Sequence, residues 1–143
     1  MAPMTPQPVQ PDYRLADIAG SLAWVVFGLC LTVAGSWDPF NPVPALAGAP
    51  QWQLLVGGGV LAASAVLQVV SQPPHARAFR RLQIRMIGNL GAACALLWVA
   101  SIALQQHPFA VGWGAIGLGF GLVHVLRAVA TWRCIQTLPG EGV

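Results

Sequence analysis

Four long apolar runs constrain the fold of this chain more than any other feature. The first run, Ile18–Trp37, contains twenty residues and no charged side chain. As an α-helix it would be about 30 Å long, which matches the thickness of a bilayer's hydrocarbon core. Only 8% of all residues are charged and the mean hydropathy is +0.65. Soluble domains carry about 25% charged residues, so the sequence predicts an all-α membrane protein.

The apolar runs predict a four-helix transmembrane bundle that occupies residues 18–134. Its spans are expected at about 18–37, 52–71, 86–104 and 110–126. The proline-rich residues 1–17 are expected to be disordered, and residues 135–143 are expected to form a flexible tail. A signal peptide is the competing interpretation of the first run, but the run is too long for the apolar part of one.

The arginines predict the orientation of the bundle. Four of the seven basic residues lie in Ser71–Arg85, which we interpret as a cytoplasmic loop; they are Arg77, Arg80, Arg81 and Arg85. With four spans, Arg14, Arg127 and Arg133 fall on the same side as this loop. The positive-inside rule then predicts a multi-pass protein of a bacterial inner (plasma) membrane, with both termini in the cytoplasm. Besides setting the topology, the loop could bind anionic lipid or a partner's acidic surface.

The side chains that most membrane chemistry requires are missing from the spans. No Asp or Glu lies inside a span, which argues against the embedded carboxylate of small multidrug transporters. His75, His107 and His124 fall at different depths, which disfavours a haem held by two axial ligands in one chain. The basic residues border apolar runs, so nucleic acid is not expected as a partner. We expect no catalytic residue, no cofactor and no metal, and a non-enzymatic role.

The sequence has three cysteines, so any disulfide would leave one of them unpaired; they are Cys30, Cys94 and Cys134. Their spacing does not match a metal site either. We expect all three to be small, buried, apolar residues.

A polar layer is predicted near the cytoplasmic ends of three spans. Gln68, Asn89 and His124 each lie about three residues from such an end, so they should share one depth. Polar groups that faced lipid there would lose hydrogen bonds, so the side chains are expected to point inward. The layer can be an interhelical clamp. Two alternatives stay open: the mouth of a pore or ligand pocket, and contact with lipid headgroups.

Small residues form strips on the third and fourth spans. The strip on the third span is Gly88, Gly91, Ala92 and Ala95, and that on the fourth is Ala110, Gly114, Gly117, Gly121, His124 and Ala128. The connection at Gln105–Phe109 is short, so the two spans are antiparallel neighbours and the strips are expected to pack together. The fourth span has a second small face, Gly112, Ala115 and Gly119, which is expected to meet another protomer or subunit.

The segments Arg14–Asp17, Ala23–Leu29 and His124–Ala128 resemble small four-span membrane proteins of phages and prophages of GC-rich bacteria, some of them holin-like. The resemblance implies a pore-forming function. The residues themselves favour a protein that acts by helix–helix assembly, as an accessory subunit of a membrane complex or as a homo-oligomer. Its partners are then the lipid bilayer and other membrane helices. A small transporter or membrane enzyme is the third hypothesis.

Overall fold

A computed structural model describes residues 13–36, 46, 48–72, 78–106 and 111–137 of the chain. These residues form four α-helices and no strands: α1 (Tyr13–Ser36), α2 (Gln51–Val70), α3 (Ala78–Gln106) and α4 (Val111–Thr137). The all-α prediction is confirmed. Our expectations for residues 1–12, His75, Arg77, His107, Ala110 and residues 138–143 lie outside the described residues.

Three of the four helices, α2, α3 and α4, are long and apolar enough to cross a membrane. The apolar part of α1, Asp17–Val33, is shorter. Long apolar side chains point away from the bundle on every helix; Val26 and Val111 are 61% exposed and Leu126 is 60% exposed. Soluble monomers rarely expose large contiguous apolar surfaces, so the exterior of this bundle suits lipid rather than water.

The helices other than α2 extend beyond the predicted spans. Helix α1 begins at Tyr13, inside the segment expected to be disordered, and α4 continues to Thr137, into the expected flexible tail. Helix α3 begins at Ala78, so the loop interpretation of Ser71–Arg85 is wrong for its second half. Arginine favours helix formation, and its long stem can lie along a helix while the charge reaches the interface. Apolar runs therefore mark the apolar middle of a helix and not its ends.

Each helix packs against the next one along the chain: α1 on α2, α2 on α3 and α3 on α4. Two apolar clusters fill the interior. One contains Leu61, Ala92, Ala95 and Leu96, and the other contains Leu31, Leu46, Leu54, Ile102 and Ala103. Leu46 belongs to the connection before α2 and is fully buried. It therefore helps to close the end of the bundle that lies away from the arginines.

Helices α1 and α2 cross closely at Gly28 and Gly58. A methyl group on Gly28 would lie 2.6 Å from the backbone nitrogen of Ala62 and 2.7 Å from the carbonyl oxygen of Gly58. A methyl group on Gly58 would lie 2.6 Å from the carbonyl oxygen of Gly28. These neighbours are backbone atoms, so no side-chain rotation could make room. The two helices thus touch backbone to backbone, which is a common packing mode of membrane helices.

The glycine strip of α3 faces α2 and not α4. A methyl group on Gly88 would lie 2.9 Å from the carbonyl oxygen of Ser64, and one on Gly91 would overlap the Ser64 hydroxyl. Helix α4 packs against a different face of α3, with Gly114 opposite Leu104, Gly117 opposite Ala100 and Gly121 opposite Leu97. The prediction that the two strips pack together is therefore wrong for α3. This helix lies between two neighbours, and its glycines face α2.

Cys30, Cys94 and Cys134 are free and exposed, so the expectation that they are buried is wrong. That expectation assumed a gain in stability when a small apolar side chain is buried in the protein interior. For a protein surrounded by lipid this gain would disappear, because acyl chains are as apolar as the protein interior.

Candidate functional site

Gln68, Asn89 and His124 lie inside the bundle, with 5%, 2% and 2% of their surface exposed. They do not all contact one another. Gln68 forms hydrogen bonds toward α1 and α3, whereas Asn89 and His124 bond to each other across α3 and α4. The three side chains therefore belong to two bonded groups at one end of the bundle.

Gln68 links three helices. Its Nε2 donates to the carbonyl oxygen of Gly88 in α3 at 3.2 Å, and its Oε1 lies 3.2 Å from the hydroxyl of Ser21 in α1. The Ser21 hydroxyl also lies 2.8 Å from the carbonyl oxygen of Asp17, so it shares its single proton between two acceptors. Glycine at position 88 permits this approach, since a methyl group there would lie 3.0 Å from Cγ of Gln68.

Asn89 joins α3 to α4. Its Nδ2 donates to the carbonyl oxygen of Arg85 at 2.9 Å, which leaves Oδ1 facing Nδ1 of His124 at 3.0 Å. Because an amide oxygen only accepts, Nδ1 of His124 carries the proton and donates it. Hydrogen bonds between membrane helices stabilise a fold by about 0.6–1.7 kcal/mol.

Two ion pairs lie at the same end as the polar layer. Arg85 of α3 donates to Oδ2 of Asp17 at 3.0 Å, and Arg127 of α4 lies 3.6 Å from Oδ1 of the same carboxylate. The side chains of Asp17, Arg85 and Arg127 are 26%, 39% and 51% exposed, so solvent screening weakens both pairs. The carboxylate of Asp17 in α1 nevertheless pairs with arginines from two other helices at one end of the bundle.

The polar contacts together reach all four helices. Within the described part of the chain, every buried polar side-chain atom has a hydrogen-bond partner. A satisfied network of this kind rigidifies a bundle and fixes how its helices align. No three metal-ligating side chains come together among the described residues. The geometry is best suited to an interhelical clamp.

An apolar crevice of about 300 Å³ lies next to this clamp, between α1, α3 and α4. Its lining includes Trp24, Phe27, Ala100, Trp113 and Phe120. The Trp24 ring packs edge to face against two rings of α4, at 5.1 Å from Phe120 and 6.2 Å from His124. Trp24 therefore separates the crevice from the buried polar layer.

The arginines assigned to topology occupy different environments. Arg80 is exposed and Arg81 is half-buried, both near the beginning of α3. Arg85 is paired with Asp17 and so also holds α3 to α1. Arg77 lies outside the described residues.

The glycines of α4 divide into two sets. Gly114, Gly117 and Gly121 contact α3, as described above. A methyl group on Gly112 or Gly119 would meet no atom within 4 Å, and Ala115 beside them is exposed. We call Gly112, Ala115 and Gly119 the outer face of α4.

Sequence reasoning does not identify Asp17, Ser21 and Trp24 as members of the site. Their spacing of four and then three residues places them on one side of a helix, and that is the signal that could have found them. Their partners lie on three other helices, and spacing within one helix carries no information about those.

No known protein family, no curated protein and no solved structure matches this chain. The resemblance to holin-like proteins therefore stays a hypothesis.

Proposed function

We propose that the chain is an integral protein of a bacterial inner membrane, that all four helices cross the bilayer, and that both termini are cytoplasmic. Helix α1 has 24 residues and is about 36 Å long, which exceeds the roughly 30 Å of a hydrocarbon core. Its first turns carry Asp17, the partner of Arg85 and Arg127. The end of the bundle that holds these arginines would be cytoplasmic by the positive-inside rule.

Within that membrane, we propose that the protein acts by helix–helix assembly, as an accessory subunit of a larger complex or as a homo-oligomer. The outer face of α4 carries this proposal. A glycine inside a helix costs about 0.5–1 kcal/mol relative to alanine. Contact with α3 accounts for Gly114, Gly117 and Gly121, whereas nothing in the described chain accounts for Gly112 and Gly119.

The physics of helix association in lipid supports this assignment. Apolar side chains gain little by leaving lipid, so helices associate where small residues let the backbones approach and make dense van der Waals contact. The outer face of α4 offers such a surface, and α4 is the least buried of the three span-length helices. A second helix on this face would give the two open glycines a physical role.

Cross-linking of the protein in native membranes tests the proposal. Cys134 is exposed on α4, so a membrane-permeant bis-maleimide can trap a copy or a partner held there. We expect Gly119→Leu to reduce the cross-linked species or the co-purifying partner several-fold, with an unchanged unfolding transition. Gly59→Leu is the matched control, because Gly59 also has no neighbour within 4 Å but lies on α2. Equal cross-linking in both variants and wild type would contradict the proposal.

The holin-like alternative makes a different prediction, which can be tested in cells that overexpress the protein. A pore former should permeabilise the membrane when it is overexpressed, which a dye-uptake assay detects. The crevice of the single chain is apolar, so a water-filled pore would have to form between several copies. Dye uptake that Gly119→Leu abolishes would favour the pore over the accessory subunit.

A further inference from the structure

The crevice between α1 and α4 is open toward the outside of the bundle. Three of its lining side chains on α4 are about half exposed: Trp113 at 49%, Ile116 at 50% and Phe120 at 46%. In a membrane such an opening is filled by whatever apolar group is nearby. An α-helix with its side chains is about 10–12 Å wide, too wide for a cavity of about 300 Å³. The volume instead suits a stretch of a single acyl chain.

The crevice face of α1 continues toward the arginines. Asp17, Gly20, Trp24 and Phe27 follow one another at spacings of three and four residues, so they share one side of the helix. A methyl group on Gly20 would meet no atom within 4 Å. Position 20 is therefore uncovered between the aromatic crevice and the charged end, and we call the crevice with this uncovered strip the groove.

The same side of α4 leads from Phe120 to Arg127. The two residues are seven positions apart, about 10 Å along the helix axis. Arg127 is half exposed and lies 3.6 Å from Asp17, which Arg85 binds more closely at 3.0 Å. Two guanidinium groups thus share one carboxylate, which leaves a local excess of one positive charge. Arg127 also retains N–H donors, because a guanidinium has five of them.

We propose that this groove binds one anionic phospholipid. One acyl chain lies in the crevice against Trp24 and Phe120, the glycerol region passes Gly20, and the phosphate accepts hydrogen bonds from Arg127. The charge is complementary, and guanidinium groups suit phosphate oxygens in geometry. The proposal rests on the membrane location proposed above but not on the assembly of α4.

Lipid retention by the purified protein tests this site. After membrane fractionation has located the protein in the membrane, it is purified in mild detergent and incubated with phosphatidylglycerol or with phosphatidylcholine of the same acyl chains. Native mass spectrometry then counts the bound lipid. We expect preferential retention of phosphatidylglycerol at one molecule per chain, and a loss of about 5-fold for Arg127→Gln, since an arginine near anionic lipid contributes about 1 kcal/mol.

Two further variants distinguish a specific binding site from general electrostatic attraction between arginines and anionic lipid. Arg133→Gln removes an exposed arginine on the same helix, six residues away from Arg127, and should leave retention unchanged. Gly20→Phe fills the groove while Asp17, Arg85 and Arg127 are left unchanged, and it should reduce retention of phosphatidylglycerol while the unfolding transition stays in place. Equal retention of both lipids, or equal effects of Arg127→Gln and Arg133→Gln, would overturn the proposal. Full retention by Gly20→Phe would also overturn it.

Discussion

The α1–α2 and α3–α4 interfaces are both built on glycine, yet they differ in what the glycines face. Gly28 and Gly58 face backbone atoms of the opposite helix. Gly114 and Gly121 face the leucine side chains of Leu104 and Leu97. A side chain can rotate away, whereas a helix backbone cannot. The cost of a larger side chain at an interface glycine therefore depends on the atoms that the glycine faces. It depends less on how many glycines the interface contains.

The largest effect is expected at the α1–α2 crossing. Gly58→Ala places a methyl group 2.6 Å from the carbonyl oxygen of Gly28, so the two helices must separate. We expect a loss of about 2–3 kcal/mol in the free energy of unfolding, measured by SDS titration in mild detergent.

The neighbouring residue provides the control for this variant. Gly59 has no atom within 4 Å of an added methyl group, so Gly59→Ala should be neutral or stabilising by up to about 1 kcal/mol. If Gly58→Ala were tolerated as well as Gly59→Ala, the backbone contact between α1 and α2 would not exist.

An effect of intermediate size is expected within α4, where two glycines face different kinds of side chain. An added methyl group would lie 2.9 Å from Cβ of Ala100 for Gly117→Ala, and 2.9 Å from Cδ2 of Leu97 for Gly121→Ala. Leu97 is 38% exposed and can rotate outward, while Cβ of Ala100 cannot move without its helix. In the same SDS titration, we expect Gly117→Ala to lower the free energy of unfolding by about 1–2 kcal/mol. Gly121→Ala should lower it by less than about 1 kcal/mol. The reverse order would contradict the distinction between fixed and movable neighbours.

The hydrogen bond between Asn89 and His124 provides a smaller contribution to the α3–α4 interface. Asn89→Leu and His124→Leu should each lower the free energy of unfolding by about 0.6–1.7 kcal/mol. Their effects should not add in the double variant, because the two side chains bond each other. Ser101→Leu is the control, since that hydroxyl is exposed and bonds only within its own helix. Strict additivity would show that the bond contributes nothing.

The sequence predicted the general fold because apolar length alone identifies helices that can cross a membrane. It also placed Gln68, Asn89 and His124 at one depth, since depth follows from distance along a helix. It did not predict that Gln68 bonds to Ser21, or that Gly88 and Gly91 face α2. Those facts depend on the rotation of each helix about its axis. In lipid, apolar residues surround a helix on all sides, so periodicity gives little information about rotation.

The sequence did not predict the crevice or the exposure of the cysteines, for a related reason. Trp24 and Phe120 are apolar residues in apolar helices, and nothing in the local sequence indicates that their rings meet across a cavity. Cys94 has small residues beside it that are buried, yet it points outward. Inward and outward positions differ in packing partners, not in polarity.

Whether all four helices cross the membrane depends on which side of it each connecting segment and each terminus faces. Reporters of periplasmic and cytoplasmic location are fused at the N-terminus and after Gly48, Ala76, Gln106 and Val143. We expect cytoplasmic signals at both termini and at Ala76, and periplasmic signals at Gly48 and Gln106. A periplasmic signal at the N-terminus would show that α1 does not cross, and one at Ala76 would contradict the whole arrangement.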